Sequence, residues 1–112
     1  MEEDAALYFD APQLPLPYMT ITTNVHPHMR TTIPAVTHTD GTARIQTVNE
    51  AQNPLYYSLL KNLKQHTSHG VVLNTSFNLS HEPIVATPRQ ALATFFSSGL
   101  DGLVIGNNVI LK

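Results

Sequence analysis

Two helix starts are spelled out residue by residue, and they leave most of the remaining chain to strands and turns. At Asn53-Pro54 an N-cap side chain precedes a proline suited to the first helical turn. Leu55, Leu59, Leu60 and Leu63 then recur on one face, and Lys61, Lys64 and His66 gather towards the end where the helix dipole favours positive charge. At Thr87-Pro88-Arg89-Gln90 the spacing is that of a capping box, in which the Thr87 hydroxyl and the Gln90 amide each satisfy the other's backbone N–H. Ala91, Leu92, Phe95 and Phe96 supply the apolar stripe of this second helix, and Gly99 offers a left-handed stop.

The segments around these helices favour strands. "YMTITTNV" (18–25) alternates loosely and is rich in threonine, whereas "HPHMRTT" suits a loop. "IPAVTHTDGTARIQTV" places Asp40-Gly41 between two strand-like runs, which predicts a hairpin or two strands diverging from the turn. Gly70 turns the chain into a strand at "VVLNT", and two short apolar strands, 103–105 and 109–111, flank Gly106-Asn107-Asn108. Residues 1–17, with Pro12, Pro15 and Pro17, read as an extended lead-in to a domain over 18–112. The expected class is α/β: a twisted mixed β-sheet with two main helices.

Composition narrows the function classes. Charged residues make up 12% of the 112, about half the usual share, and thirteen threonines and eight asparagines fill much of the gap. A net charge of −2 offers no basic field for nucleic acid, and no Lys/Arg cluster addresses an anionic membrane. No apolar run approaches membrane-spanning length, and the acidic start "MEEDAALYFD" is unlike a secretory signal, so a cytoplasmic location is expected. The absence of cysteine excludes thiolate chemistry and disulfides.

Three places hold groups with chemical potential. His26, His28 and His38 are closely spaced, but a proline separates the first two and no regular spacing supplies further ligands; no metal site is assigned. In "THTDGTARIQT", His38, Asp40, Thr42 and Arg44 could gather around a ligand, Arg44 with a planar five-donor fork suited to phosphate or carboxylate. On the residues alone, a hairpin with a polar outer face and an Asx-type turn at Asp40 is the favoured reading. In "VVLNTSFN", Ser76 and Asn78 alternate with Phe77, so an extended segment would point both polar groups the same way. They could hold phosphate or ribose oxygens, or simply cap their own loop.

"IPAVTHTDGTARIQTV", "GVVLNTSFN", "EPIVATPRQAL" and "FFSSGLDGLVIGNNVILK", in this order and with these gaps, resemble the C-terminal region of the O-carbamoyltransferases of the nodulation, cephamycin and aminoglycoside type. The resemblance runs from about Tyr18 to the end. It implies a partial YrdC-like domain that binds ATP and carbamoyl phosphate as substrates and forms a carbamoyl-adenylate. In that family a larger N-terminal domain of actin/hexokinase type, holding the metal, passes the carbamoyl group to an acceptor hydroxyl. The resemblance further implies that Ser76 and Asn78, as an S-x-N arrangement, contribute to the nucleotide site, that Arg44 faces phosphate oxygens, and that His38 and Asp40 shape the same wall.

Departures from the family pattern carry expectations of their own. Its "GPRALGNRS"-like and "KxRExFRPFAP"-like segments, the latter similar to the lysine/arginine half of a YrdC-like site, lie upstream of the region matched here. The chain is therefore expected to be an incomplete domain, inactive alone and completed by upstream segments or a separately encoded N-terminal domain. Leu16 stands where the family tends to carry serine, and His81 where it tends to carry glycine. The alternative expectation is a non-catalytic remnant or small interaction module that keeps the fold, self-associating through an exposed sheet edge.

Overall fold

The computed structural model describes residues 1–112 and divides them into two compact units, Met1–Leu73 and Asn74–Lys112. Helices and strands mix in both, as the α/β class requires.

In the first unit a 3-10 turn at Glu2–Asp4 leads into α1 (Ala5–Tyr8) and β1 (Phe9–Asp10). β1 pairs antiparallel with β2 (Thr22–Val25), which pairs antiparallel with β3 (Thr42–Arg44). The register sets Thr22 opposite Arg44, Thr23 opposite Ala43 and Asn24 opposite Thr42. Alternation along the strands buries Thr23, Val25 and Ala43 and turns Thr22, Asn24, Thr42 and Arg44 to the other face. Tyr8, Leu16, Val25, Ile33, Ala43 and Ile45 form the core.

α2 (Pro54–Thr67) starts as its sequence predicts: the Asn53 side chain accepts from the Tyr56 amide at 3.1 Å, with Pro54 in the first turn. It ends at Ser68, whose left-handed backbone (φ 67°) lets its amide reach the Lys64 carbonyl at 2.9 Å. The Lys64 ammonium donates to both oxygens of the buried Asp4 carboxylate, at 2.9 and 2.8 Å. The Tyr57 hydroxyl donates to Glu3 at 2.6 Å. The acidic N-terminal stretch is thus tied to α2.

In the second unit α3 (Pro88–Phe96) carries the complete capping box: the Gln90 amide donates to the Thr87 hydroxyl, and the Gln90 side-chain oxygen accepts from the Thr87 amide at 3.1 Å. β4 (Gly102–Ile105) and β5 (Asn108–Leu111) form the expected hairpin. Gly106 has φ 55° and Asn107 does not share it, the pattern of a II′ turn with glycine first.

Several expectations are corrected. The strands lie in two antiparallel sheets, β1-β2-β3 and β4-β5, not in one mixed sheet. Residues 33–47 form no hairpin: Pro34 opens a 3-10 turn at Pro34–Val36, and β3 pairs with β2 instead. "VVLNT" joins no ladder, so the face-sharing argument for Ser76 and Asn78 loses its strand. Residues 1–17, read as an extended lead-in, include α1 and β1 and bury Ala5, Tyr8 and Leu16. α2 buries Leu60 but leaves Leu55 and Leu59 of its expected stripe exposed, whereas α3 buries Ala91 and Phe95 of its stripe, with Thr94, and exposes only Phe96. Gly99 is not left-handed; α3 ends on Ser97 in right-handed geometry.

Candidate functional site

The turn leading into β3 is built from the residues that drew attention in the sequence. Gly41, at φ 82°, supplies a backbone state that side-chain-bearing residues rarely adopt. Its amide donates to the His38 carbonyl at 2.9 Å, and the His38 amide donates to the Thr42 carbonyl at 2.7 Å. One Asp40 oxygen accepts from the Thr42 amide at 3.0 Å and from the Thr42 hydroxyl at 2.7 Å, the Asx-type closure expected there. These two bonds, the hydroxyl's first, hold the Asp40 carboxyl below its ordinary value. The His38 ring nitrogen Nδ1 lies 2.9 Å from the same hydroxyl. His38, Asp40 and Thr42 therefore form one connected group.

Arg44 follows two residues later at the end of β3, exposed on the polar sheet face with Thr22, Asn24 and Thr42. Asp10, opposite Asn24, brings one carboxylate to that face. The single ion pair of the chain is Asp4 with Lys64, so no carboxylate lies within 4 Å of the Arg44 guanidinium. The arrangement offers a free planar cation beside hydroxyl and amide groups, a donor set suited to phosphate oxygens.

Ser76 and Asn78 belong to the second unit. Ser76 is exposed. The Asn78 side-chain nitrogen donates to the Leu79 and Glu82 carbonyls, both at 3.0 Å, so it closes its own loop and leaves its oxygen as the group able to meet a ligand. The same loop holds His81 at φ 73°. Beside it a groove of about 280 Å³ runs between Leu79–Pro83–Val85 and the Ala93–Thr94–Ser97 side of α3.

His26 and His28 stack their rings at 5.8 Å and 7°, and no group of three or more His, Cys, Asp or Glu side chains gathers in the way a metal ion needs. No helix is long and apolar enough to cross a membrane. One residue near the turn was missed in the sequence: Arg30, assigned there only to a loop. Its guanidinium lies against Gly41, and its Nε donates to the Val25 carbonyl at 3.2 Å. No local signal marks a contact between residues eleven apart in an irregular segment.

Comparison with known proteins gives this geometry its setting. Nodulation protein NolO of Bradyrhizobium diazoefficiens is 41% identical over 114 residues, an alignment spanning 100% of this chain and 21% of that protein. Nodulation protein NolNO of Sinorhizobium fredii is 40% identical over 114 residues, covering 100% of this chain and 17% of the relative. The 3'-hydroxymethylcephem-O-carbamoyltransferase of Amycolatopsis lactamdurans is 36% identical over 73 residues, 65% of this chain and 14% of its own length. The chain thus spans about a fifth or less of the curated relatives it matches. The family model described as "Carbamoyltransferase C-terminus" covers residues 1–112, and the chain belongs to that family.

Proposed function

We propose that this chain provides part of the substrate-binding region of a carbamoyltransferase that uses ATP and carbamoyl phosphate. The observation that carries the reading is the family match over the whole chain, which includes the turn ending in the unpaired Arg44. Arg44 binds phosphate oxygens, and His38 and Asp40, locked together through Thr42, fix the backbone that presents it. Ser76 and the Asn78 side-chain oxygen contribute to nucleotide binding in the second unit. Donors held still by the fold stabilise charge as a phosphorus–oxygen bond breaks, because they need no reorganisation at that moment. Water releases phosphate from carbamoyl phosphate, and the carbamate left displaces pyrophosphate from the α-phosphorus of ATP. The carbamoyl-adenylate formed then loses AMP as an acceptor hydroxyl oxygen, giving up its proton, bonds to the carbamoyl carbon.

Catalysis on this reading needs further segments of the family, in the same polypeptide or in a separately encoded N-terminal domain that holds the metal. Mixing this chain with one carrying the upstream family segments should yield carbamoyl-adenylate from ATP and carbamoyl phosphate. An Arg44→Ala chain should yield at least about tenfold less, the loss expected for a charge-assisted contact. Sustained inactivity of the wild-type mixture would contradict the reading.

A second reading, a non-catalytic interaction module, draws on the β4–β5 hairpin. Val104, Val109 and Leu111 share one face of it and are 69%, 67% and 73% exposed. A two-stranded hairpin also leaves both its strands as open edges. Here the chain self-associates in the cytoplasm through that hairpin, and Val104→Lys with Val109→Lys restores the monomer. Sedimentation showing a wild-type monomer at high concentration removes this version.

A further inference from the structure

We infer that Arg30 is a second phosphate-binding cation at the Arg44 turn, held there by the glycine of "DGTAR"; the inference rests on the substrate-binding reading of that turn. Four observations converge on it. The Nε of Arg30 donates to the Val25 carbonyl at 3.2 Å, and Val25 is fully buried, so the near end of the guanidinium is anchored to a fixed point of the core. The Val25 amide in turn accepts no freedom of its own: it donates to the Gly41 carbonyl at 2.9 Å, which locks the turn to the same residue. The guanidinium then lies flat against Gly41, where a Cβ would sit 2.7 Å from both terminal nitrogens. Finally, no carboxylate comes within 4 Å of it.

The consequence is chemical. Anchoring through Nε leaves Nη1 and Nη2, with four N–H donors, for an outside acceptor. A pre-positioned arginine loses less freedom on binding than a free surface one, which makes it an effective phosphate ligand. Arg30 lies against Gly41 and Arg44 follows three residues later, so both cations belong to the turn and the strand it opens. Gly41 thus has two tasks: it supplies the positive φ of the turn, and its missing side chain makes room for Arg30.

The test compares ATP with adenosine, titrated calorimetrically into the full chain and into Arg30→Ala, Arg30→Gln and Arg44→Ala. Glutamine keeps a donor for the Val25 carbonyl but lacks the charge and the fork, so it stands in if the alanine variant does not fold. Both Arg30 variants should weaken ATP about tenfold and leave adenosine unchanged. Equal losses for ATP and adenosine would assign Arg30 a purely structural role and overturn the inference. Unchanged ATP affinity in the Arg30 variants, with a loss in Arg44→Ala, overturns the inference and leaves the Arg44 reading standing. Absence of ATP binding to the wild-type chain overturns both.

Discussion

At the scale of single residues, His81 and Asp40 make the sharpest statements. His81 occupies a positive-φ position, φ 73°, in a loop where the resemblance points to glycine. The left-handed region costs a side-chain-bearing residue roughly 1–2 kcal/mol, and glycine in turn gives up about 0.5–1 kcal/mol of unfolded-chain entropy. His81→Gly should therefore raise stability by up to about 1.5 kcal/mol, read as a higher urea midpoint; a lower midpoint would mean that the imidazole makes contacts worth more than the backbone strain. Asp40 is held below its ordinary value of 3.8 chiefly by the Thr42 hydroxyl. A depressed carboxylate contributes stability that is present above 3.8 and is lost as pH falls through its lower folded value. Titration of the Asp40 carboxyl by NMR should show that depression, and Thr42→Val should move it back toward 3.8 while the Thr42 amide still donates. An unmoved titration would place the cause elsewhere.

At the scale of elements, helix caps and the tight turn are legible from a few neighbouring residues, whereas strand pairing depends on distant partners. The capping box of α3 is a four-residue device, so Thr87 and Gln90 announce it without any knowledge of the fold. Thr87→Ala should cost about 1 kcal/mol and Thr87→Ser little, by urea unfolding; equal stabilities for all three would mean that packing alone holds the helix start. The Asn53 cap and the Gly106-Asn107 hairpin are local in the same sense. By contrast, the partner of β3 lies some twenty residues back in β2, not in the adjacent 33–39 segment, because Pro34 cannot donate to a ladder and starts a 3-10 turn instead. The site shows the same division. The Asp40–Gly41–Thr42 turn is legible from Asx and glycine chemistry, and so is the Asn78 amide closing its own loop on Leu79 and Glu82, one of the two readings open for it, whereas Arg30 reaches Gly41 only through the fold. Apolar periodicity misled where burial is one-sided: Leu55 and Leu59 repeat at helical spacing yet remain exposed.

At the scale of the whole molecule, the first unit has a core of its own around Tyr8, Val25 and Ile45, and the second has the capped α3 and a hairpin with one exposed apolar face. Family membership extends over both units, and the relatives are about five times longer or more. Whether the chain is a working portion of a carbamoyltransferase comes down to substrate binding. The direct measurement is urea unfolding of the purified chain with and without saturating ATP plus carbamoyl phosphate. A ligand that binds only the folded state at a hundred times its Kd adds about 2.7 kcal/mol, so the midpoint should move to higher urea, and the shift should vanish in Arg44→Ala. A cooperative transition at the same midpoint with and without ligand would contradict the account.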